Sequence, residues 1–239
     1  MFVSGINFTL LLLFVNGKFR KFIHDAELKW YLWSVIGFTA FIAIVLYYNS
    51  SMGVEEAFRK SLFQVASLHT STGFATADYM TWPSVLWGTL TVIMIIGACA
   101  GSTTGGMKCI RLLILAKISR NEFKHITHPN AVLPVRVNKQ VISPSIRSTV
   151  LAFSFLYAVL IIFGTLAMMG MGVGLLESLG CTISSLGNMG PGLGLCGPAY
   201  SWNELPDMGK WLMSFFMLLG RLELFTVLLL FSSDFWKKN

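Results

Sequence analysis

The sequence has 239 residues, of which 54% are hydrophobic and 12% are charged, and its mean hydropathy is +0.67. An ordinary soluble domain carries about 25% charged residues, so this composition excludes that class and predicts a membrane protein. The net charge of +7 does not indicate nucleic-acid binding, because the basic residues are grouped between apolar segments.

The chain opens with the apolar segment MFVSGINFTLLLLFV, residues 1–15. A hydrocarbon core about 30 Å thick needs roughly 20 apolar residues to cross it, so this segment is too short to span. It also lacks the basic region and the small-residue cleavage site of a signal peptide. We therefore interpret residues 1–15 as the tail of a preceding transmembrane helix.

Three segments between or after the apolar runs are basic, and the positive-inside rule predicts that they lie in the cytoplasm. They are a connection at 16–29, a linker at 119–147 and a tail at 237–239. Their basic residues include Lys18, Arg20, Lys21, Lys29, Lys117 at the linker's edge, Arg120, Lys124, Arg136, Lys139, Arg147, Lys237 and Lys238.

A first unit, residues 27–118, begins with a spanning helix at 30–48. A shorter helix follows, VEEAFRKSLFQVASLH, with apolar positions near helical spacing, and it leads into the loop TSTGF. The apolar run from 84 to about 117 completes the unit as a span interrupted by GACAGSTTGGMK.

A second unit, residues 148–236, repeats this order with spans at 149–173 and 210–233, between which LLESLGCTISSLG leads into NMGPG. Gly73 and Gly190 lie 117 residues apart, and Trp82 and Trp202 lie 120 apart. Internal duplication explains this spacing. The predicted fold is an all-α membrane protein of two helix–pore loop–helix repeats, in which the second helix of the first repeat is broken.

Each glycine-containing loop follows a short helix at half depth, and such backbone must be buried in protein or line water. Carbonyl oxygens at fixed spacing can replace the hydration shell of an alkali cation, glycine permits the backbone conformations required, and the preceding helix points its partly negative end at the ion. The alternative for one tripeptide alone is a tight surface turn. The repeated context favours a pair of pore loops selective for a cation.

The interruption at 97–108 contains four glycines and a polar trio, and it cannot form an efficient lipid-facing helix. We interpret it as an irregular, movable plug on the cytoplasmic side of a filter. The alternative is close helix packing by small residues.

Arg221 and Glu223 lie about midway along the last predicted span, where a charge costs at least about 2.5 kcal/mol. Two interpretations of Arg221 are compatible: it forms an electrostatic barrier on the permeation path, or it binds exposed carbonyls of a neighbouring segment.

The four cysteines form no metal-binding or C-x-x-C spacing, and we expect small buried thiols. The four histidines form no ligand cluster, and no arrangement typical of an enzyme occurs. His69 adjoins the first loop, where a hydrogen bond at the end of the short helix is favoured over a role as pH sensor.

Four motifs in chain order resemble the TrkH/TrkG/KtrB superfamily of potassium transporters, most closely its bacterial TrkH branch. They are STGF followed by WP, then GACAGSTTGGMKCIRLLIL, SLGNMGPGLG and LLGRLELFTVLLLF. GINF at 5–8 and DAELKWYL at 25–32 resemble that family's junction between its second and third repeats. The resemblance implies four repeats around one ion path, of which this chain has the third and fourth.

The resemblance also implies roles for individual residues. The expected filter strands comprise Thr70, Ser71, Thr72, Gly73, Phe74 and Gly187, Asn188, Met189, Gly190, Pro191, with potassium at Ser71, Thr72, Gly73, Asn188, Met189 and Gly190. The expected gating residues are Gly97, Gly101, Ser102, Thr103, Thr104, Gly105, Gly106, Lys108 and Arg221. Potassium is the substrate, and no covalently bound cofactor is expected.

The function expected from the resemblance is potassium uptake, passive or ion-coupled, across the bacterial inner membrane, with a cytoplasmic nucleotide-binding regulatory protein as partner. The alternative is a non-conducting anchor or partner half-subunit for that regulator. Two filter strands cannot enclose an ion. We therefore expect a fragment of a full transporter that lacks its first and second repeats. A chain that works with a partner half and a homo-oligomer are the other arrangements left open.

Overall fold

The computed structural model describes residues 1–50, 52–131, 133–138, 140–222, 224–230 and 236. Glu223, Lys139 and the predicted tail at 237–239 lie outside these described residues, as do residues 231–235 of the second unit. The helices are α1 (Phe8–Val15), α2 (Phe19–Ile23), α3 (Ala26–Asn49), α4 (Val54–His69), α5 (Ser84–Ile95), α6 (Cys109–Thr127), α7 (Pro144–Gly170), α8 (Leu175–Gly187), α9 (Asp207–Arg221) and α10 (Leu224–Leu230).

Among the described residues, α3 and α7 are the two helices long and apolar enough to cross a membrane. Their 24 and 27 residues correspond to about 36 and 40 Å at 1.5 Å per residue. Side chains at their starts fix where they begin: Asp25 accepts a hydrogen bond from Leu28 N at 2.9 Å, and Ser143 accepts one from Ile146 N.

The short helices α4 and α8 lie at the centre of the packing. α4 lies along α3, and α8 packs against both α7 and α9 as well as against α5. The approach of α7 is close, because a Cβ built at Gly164 would lie 2.7 Å from Cγ2 of Thr182 and would overlap the ring of Phe216. Consecutive residues of α8 from Gly180 to Gly187 are buried, which is unusual for a helix at a protein surface.

The ends of several predicted elements differ from the structure. α6 continues to Thr127, so the linker predicted at 119–147 begins inside a helix whose last turns are polar. The rest of that linker contains an antiparallel pair, β1 (Arg136–Val137) with β2 (Gln140–Val141), before α7 begins at Pro144. In the opening segment a helix begins only at Phe8, after a 3₁₀ turn at Phe2–Gly5.

The prediction of one continuous helix at 210–233 is wrong, because α9 ends at Arg221 and α10 starts at Leu224. The break follows Gly220, whose position directly against the Leu186 carbonyl of α8 leaves no room for a side chain. Glycine at this position also lowers the helix propensity of the segment.

The expectation of four buried thiols is wrong for two of the cysteines. Cys181 on α8 and Cys196 form a disulfide with Cα atoms 6.1 Å apart, whereas Cys99 and Cys109 are free and buried. The chain beyond α8 folds back along that helix and brings residues 15 positions apart within bonding distance.

Candidate functional site

The first loop, residues 70–74, is held by hydrogen bonds from the last turn of α4. Thr70 Oγ1 donates to Ala66 O and contacts Thr72 Oγ1, both at 2.6 Å, and Ser67 Oγ donates to Phe74 O at 2.6 Å. These bonds direct the chain away from the helix axis at once. The phenyl ring of Phe74 lies outside the packed interior, 68% exposed.

The second loop, residues 187–191, begins at the last residue of α8 and repeats backbone features of the first loop. Ser71 and Asn188 have φ values of 50° and 52°, and Gly73 and Gly190 have φ values of 78° and 102°. Two backbone hydrogen bonds also recur with the offset of 117 residues. They are Ser71 N to Leu68 O and Asn188 N to Ser185 O, both 3.1 Å, and Thr72 N to Ser67 O at 2.9 Å and Met189 N to Ser184 O at 3.1 Å.

The two loops contact each other. A Cβ built at Gly73 would overlap the carbonyl oxygen of Met189 and lie 3.1 Å from Cδ of Pro191. At Gly190, by contrast, no described atom lies within 4 Å of such a Cβ. The first loop therefore packs on the second at Gly73, whereas the space beside Gly190 is open.

Between α5 and α6 the chain leaves the helical path as the central loop, residues 96–108. Ile96 and Met107 form a parallel bridge, with Gly97 N to Met107 O at 2.9 Å and Met107 N to Ile95 O at 3.2 Å. The loop thus leaves and returns at nearly the same point, and the glycines with positive φ, Gly101 at 68° and Gly106 at 70°, lie within it.

One side of the central loop is bonded to the start of the chain and to α3. Cys99 N donates to Gly5 O at 3.0 Å, and Phe8 N donates to the carbonyl of Gly101 at 3.2 Å. The buried carboxylate of Glu27 accepts a hydrogen bond from Ala100 N at 2.5 Å. Glu27 was not identified from the sequence, where an acidic residue in the first turn of a helix is ordinarily explained by the helix dipole.

The other side of the central loop contacts the second unit. Arg221 Nη1 donates to Thr103 O at 2.7 Å, which is the carbonyl-binding role left open for this arginine. Gly105 lies directly against the carbonyl oxygen of Gly187, so a side chain there would meet the end of α8. Lys108 Nζ donates to the carbonyl oxygen of Thr104 and, at 3.0 Å, to Thr104 Oγ1.

A cavity of about 300 Å³ lies between the central loop, the end of α8 and the end of α9. Its cationic lining residues are Lys108, Arg111 and Arg221. Arg111, which the sequence analysis did not single out, lies 3.9 Å from the centroid of the Phe153 ring. Positive charge around a confined space disfavours the entry of a cation, and the effect is largest where water is excluded.

His69 ends α4 beside the first loop and is fully buried. Its Nε2 lies 2.8 Å from Ser34 Oγ, and its ring lies edge-on to Tyr31 with centroids 5.1 Å apart. The hydrogen bond expected at the end of the short helix is present. Within the described part of the chain, no three His, Cys, Asp or Glu side chains are grouped as metal ligands.

The sequence analysis placed residues in two filter strands and a gate, and the structure brings these segments together at two points. The loops meet at Gly73, and the central loop meets the second loop at Gly105. Of the predicted gating residues, Gly97, Thr104 and Gly105 are buried, whereas Gly101, Thr103 and Arg221 are exposed.

Comparison with known proteins identifies relatives along the whole chain. The family model named TrkH, a cation transport protein, matches residues 1–238. The Trk system potassium uptake protein TrkG of Escherichia coli (strain K12) is 35% identical over 236 residues, which cover 98% of this chain and 48% of TrkG. TrkH of Halomonas elongata is 34% identical over 241 residues, which cover 100% of this chain and 49% of TrkH.

A solved structure has the same fold. The crystal structure of the potassium transporter TrkH from Vibrio parahaemolyticus superposes with a TM-score of 0.91 at 32% identity, covering 99% of this chain and 51% of that one. The chain therefore spans about half the length of the relatives that it matches.

Proposed function

The chain belongs to the TrkH family of cation transport proteins, and on this premise we propose that it supplies two filter strands and the gate of a potassium uptake pathway. The relatives that it matches are named potassium uptake proteins. The observation that carries the proposal is the pair of loops that share positive φ at two equivalent positions and two backbone hydrogen bonds, and that pack against each other at Gly73.

In the proposed filter, residues 70–74 and 187–191 each contribute one strand. Potassium is coordinated by main-chain oxygens at Ser71, Thr72 and Gly73 in one strand and at Asn188, Met189 and Gly190 in the other. The direct packing of Gly73 on the Met189 carbonyl supports this role, because strands must lie this close for oxygens from both to replace one ion's hydration shell.

The two short helices provide the charge for this filter. α4 and α8 both end at a proposed strand, and the C-terminal end of an α-helix carries about half a negative charge. In the proposed filter both ends face the same ion, which they stabilise without a carboxylate. A site of this kind releases the ion more readily than a carboxylate pair would.

The proposed gate is the central loop together with Arg221. The cationic cavity that Leu186 helps to line and the arginine bonded to Thr103 O support a barrier to a cation in the observed conformation. Glycines at 101 and 106 with positive φ allow the segment between them to change conformation at little steric cost.

Two strands leave the proposed filter incomplete. Gly190 has open space where Gly73 has the neighbouring strand, and this asymmetry supports a further strand beside Gly190. The first and second repeats of a full transporter, a partner half or a second copy of this chain would each supply it. The proposed location is the bacterial inner membrane, with the basic segments and a nucleotide-binding regulatory protein on the cytoplasmic side.

Rubidium influx at low external potassium tests this function in cells that lack potassium uptake. The chain is expressed alone and together with the first two repeats of a TrkH relative, and Gly73→Asp is compared with wild type. The matched control is Gly17→Asp, since Gly17 also has a positive φ, 71°, but has no atom within 4 Å of its Cβ position.

Influx that Gly73→Asp abolishes and Gly17→Asp retains supports conduction through this filter. Influx from the chain alone identifies a homo-oligomeric pore, and influx only upon co-expression identifies a half that requires the other repeats. Correctly inserted protein without influx in either arrangement contradicts conduction and favours the non-conducting anchor.

A further inference from the structure

Tyr79 lies in the 3₁₀ turn Tyr79–Thr81 beyond the first loop, yet its hydroxyl reaches the chain beyond the second loop. The side chain is fully buried, and its Oη donates to Gly192 O at 2.5 Å across 113 residues of sequence. Gly192 is two positions beyond Gly190 of the proposed second strand. The bond therefore joins the segments that leave the two loops.

The tyrosine is held rigidly on its own side. Asp78 accepts a hydrogen bond from Met80 N at 2.9 Å, which fixes the turn, and Trp87 Nε1 on α5 donates to Tyr79 O at 3.1 Å. The Tyr79 ring lies edge-on to Trp82 with centroids 6.5 Å apart. Burial raises the pKa of the Tyr79 phenol, so the group stays neutral and keeps its proton for donation.

Gly192 is fixed from the opposite side by the second unit. Its N–H donates to Cys196 O at 2.5 Å, and Cys196 is bonded covalently to Cys181 on α8. A Cβ at Gly192 would lie 3.0 Å from the carbonyl oxygen of Gly180. The segment from 192 to 196 thus lies between α8 and the phenol of Tyr79.

We propose that Tyr79 is a positioning residue for the second filter strand and that its hydrogen bond to Gly192 sets how strictly the filter selects potassium over sodium. This inference rests on the proposed function. A filter distinguishes ions by oxygens at controlled spacing. The Tyr79 hydroxyl belongs to the first unit and holds the chain next to the second strand, so its bond fixes the spacing between the two strands. Bonds within a single unit cannot fix that spacing.

Two measurements on Tyr79→Phe test the inference, because this change removes the hydroxyl and keeps the ring. The first is the ratio of rubidium to sodium influx in whichever assembly conducts. The ratio does not depend on the amount of protein in the membrane. We expect it to fall roughly 3- to 10-fold, the range that loss of one net hydrogen bond gives.

The second measurement needs no transport. In the purified protein, dithiothreitol reduces the Cys181–Cys196 disulfide to two thiols and is itself oxidised to its cyclic disulfide. Because the bond from Tyr79 restrains the segment that carries Cys196, Tyr79→Phe should open that segment more often and raise the reduction rate by roughly 3- to 10-fold.

Tyr200→Phe is the matched control, since it removes a hydroxyl from a ring that is 55% exposed in the chain beyond the second loop. Both readouts should stay at the wild-type value for this variant. An unchanged influx ratio in Tyr79→Phe overturns the role in selectivity, and an unchanged reduction rate overturns the positioning role. Faster reduction in a protein that never conducts would retain the positioning role and reject the proposed function instead.

Discussion

Alanine at the two glycines of the proposed filter should have unequal effects, although both glycines occupy equivalent positions. Gly73 and Gly190 have φ values of 78° and 102°, so each substitution places an L-residue in a conformation that it rarely adopts. Only at Gly73 would the new methyl group also overlap a neighbour, the Met189 carbonyl oxygen, and crowd Pro191 at 3.1 Å.

The magnitudes follow from these two terms. A positive φ costs an L-residue about 1 to 2 kcal/mol, and this term applies to both variants. Forcing an additional methyl group into a packed site costs about 1 to 3 kcal/mol more, and this term applies to Gly73→Ala alone. We expect Gly190→Ala to lower the free energy of unfolding by about 1 to 2 kcal/mol and Gly73→Ala by about 2 to 5 kcal/mol.

Unfolding by sodium dodecyl sulfate in mixed micelles, followed by tryptophan fluorescence, measures both values. Gly37→Ala on α3 serves as a control, because that glycine is helical and has no atom within 4 Å of its Cβ position. It should stabilise the protein by up to about 1 kcal/mol through helix propensity. Equal losses for the two filter variants, or a larger loss for Gly190→Ala, would refute the claim that the loops pack directly on each other.

Three further changes test the contacts around the central loop and the disulfide. Arg221→Gln removes the cation and should raise basal rubidium influx about tenfold, the equivalent of 1.4 kcal/mol of barrier, whereas Lys210→Gln on the same helix should not change it. Glu27→Gln weakens a charge-assisted bond to the central loop and should lower the free energy of unfolding by about 1 to 2 kcal/mol. The control is Glu55→Gln at an exposed position, which should lower the free energy of unfolding by less than about 0.5 kcal/mol. Cys181→Ser should lower the free energy of unfolding by about 3 kcal/mol, as expected for a disulfide that closes a loop of this length. The difference between the variant and wild type should disappear when both are measured in reductant.

The sequence predicted the short helices and their loops because the signals for them are local. A helix too short to span, followed by polar residues and glycine, is visible within some 20 positions, and the 117-residue offset between Gly73 and Gly190 reveals the second copy. The family resemblance adds a role for each position, and that role is what influx and selectivity measurements test.

The contacts that the sequence did not predict join distant residues. Tyr79 and Gly192 are 113 positions apart, and Glu27 and Ala100 are 73 apart. Hydrophobic periodicity specifies which face of a helix is buried, but it contains no information about which partner that face meets. The disulfide was missed for the same reason, since pairing depends on how the chain returns along α8 and cannot be read from the spacing of cysteines.

The contacts of α9 with the end of α8 and the second loop restrict how the proposed gate can move. Asn188 Nδ2 donates to Met217 O of α9 at 3.0 Å, and Gly220 of the same helix lies against the Leu186 carbonyl. Displacing α9 would therefore disturb the proposed second filter strand, whose role requires it to keep its geometry. The proposed gate therefore moves the central loop and leaves α9 in place.

The part of the central loop that moves in this gate follows from its anchors. The stretch from Cys99 to Gly101 is bonded to Glu27, Gly5 and Phe8, so this half is fixed to the first unit. The half from 102 to 106 rests on the second unit through the Arg221 bond and the contact of Gly105 with Gly187 O. Withdrawal of that half alone would release the arginine and uncover the end of α8 in one step. In the proposed gate, opening is therefore a change between the two glycines with positive φ, and the helices on either side remain in place.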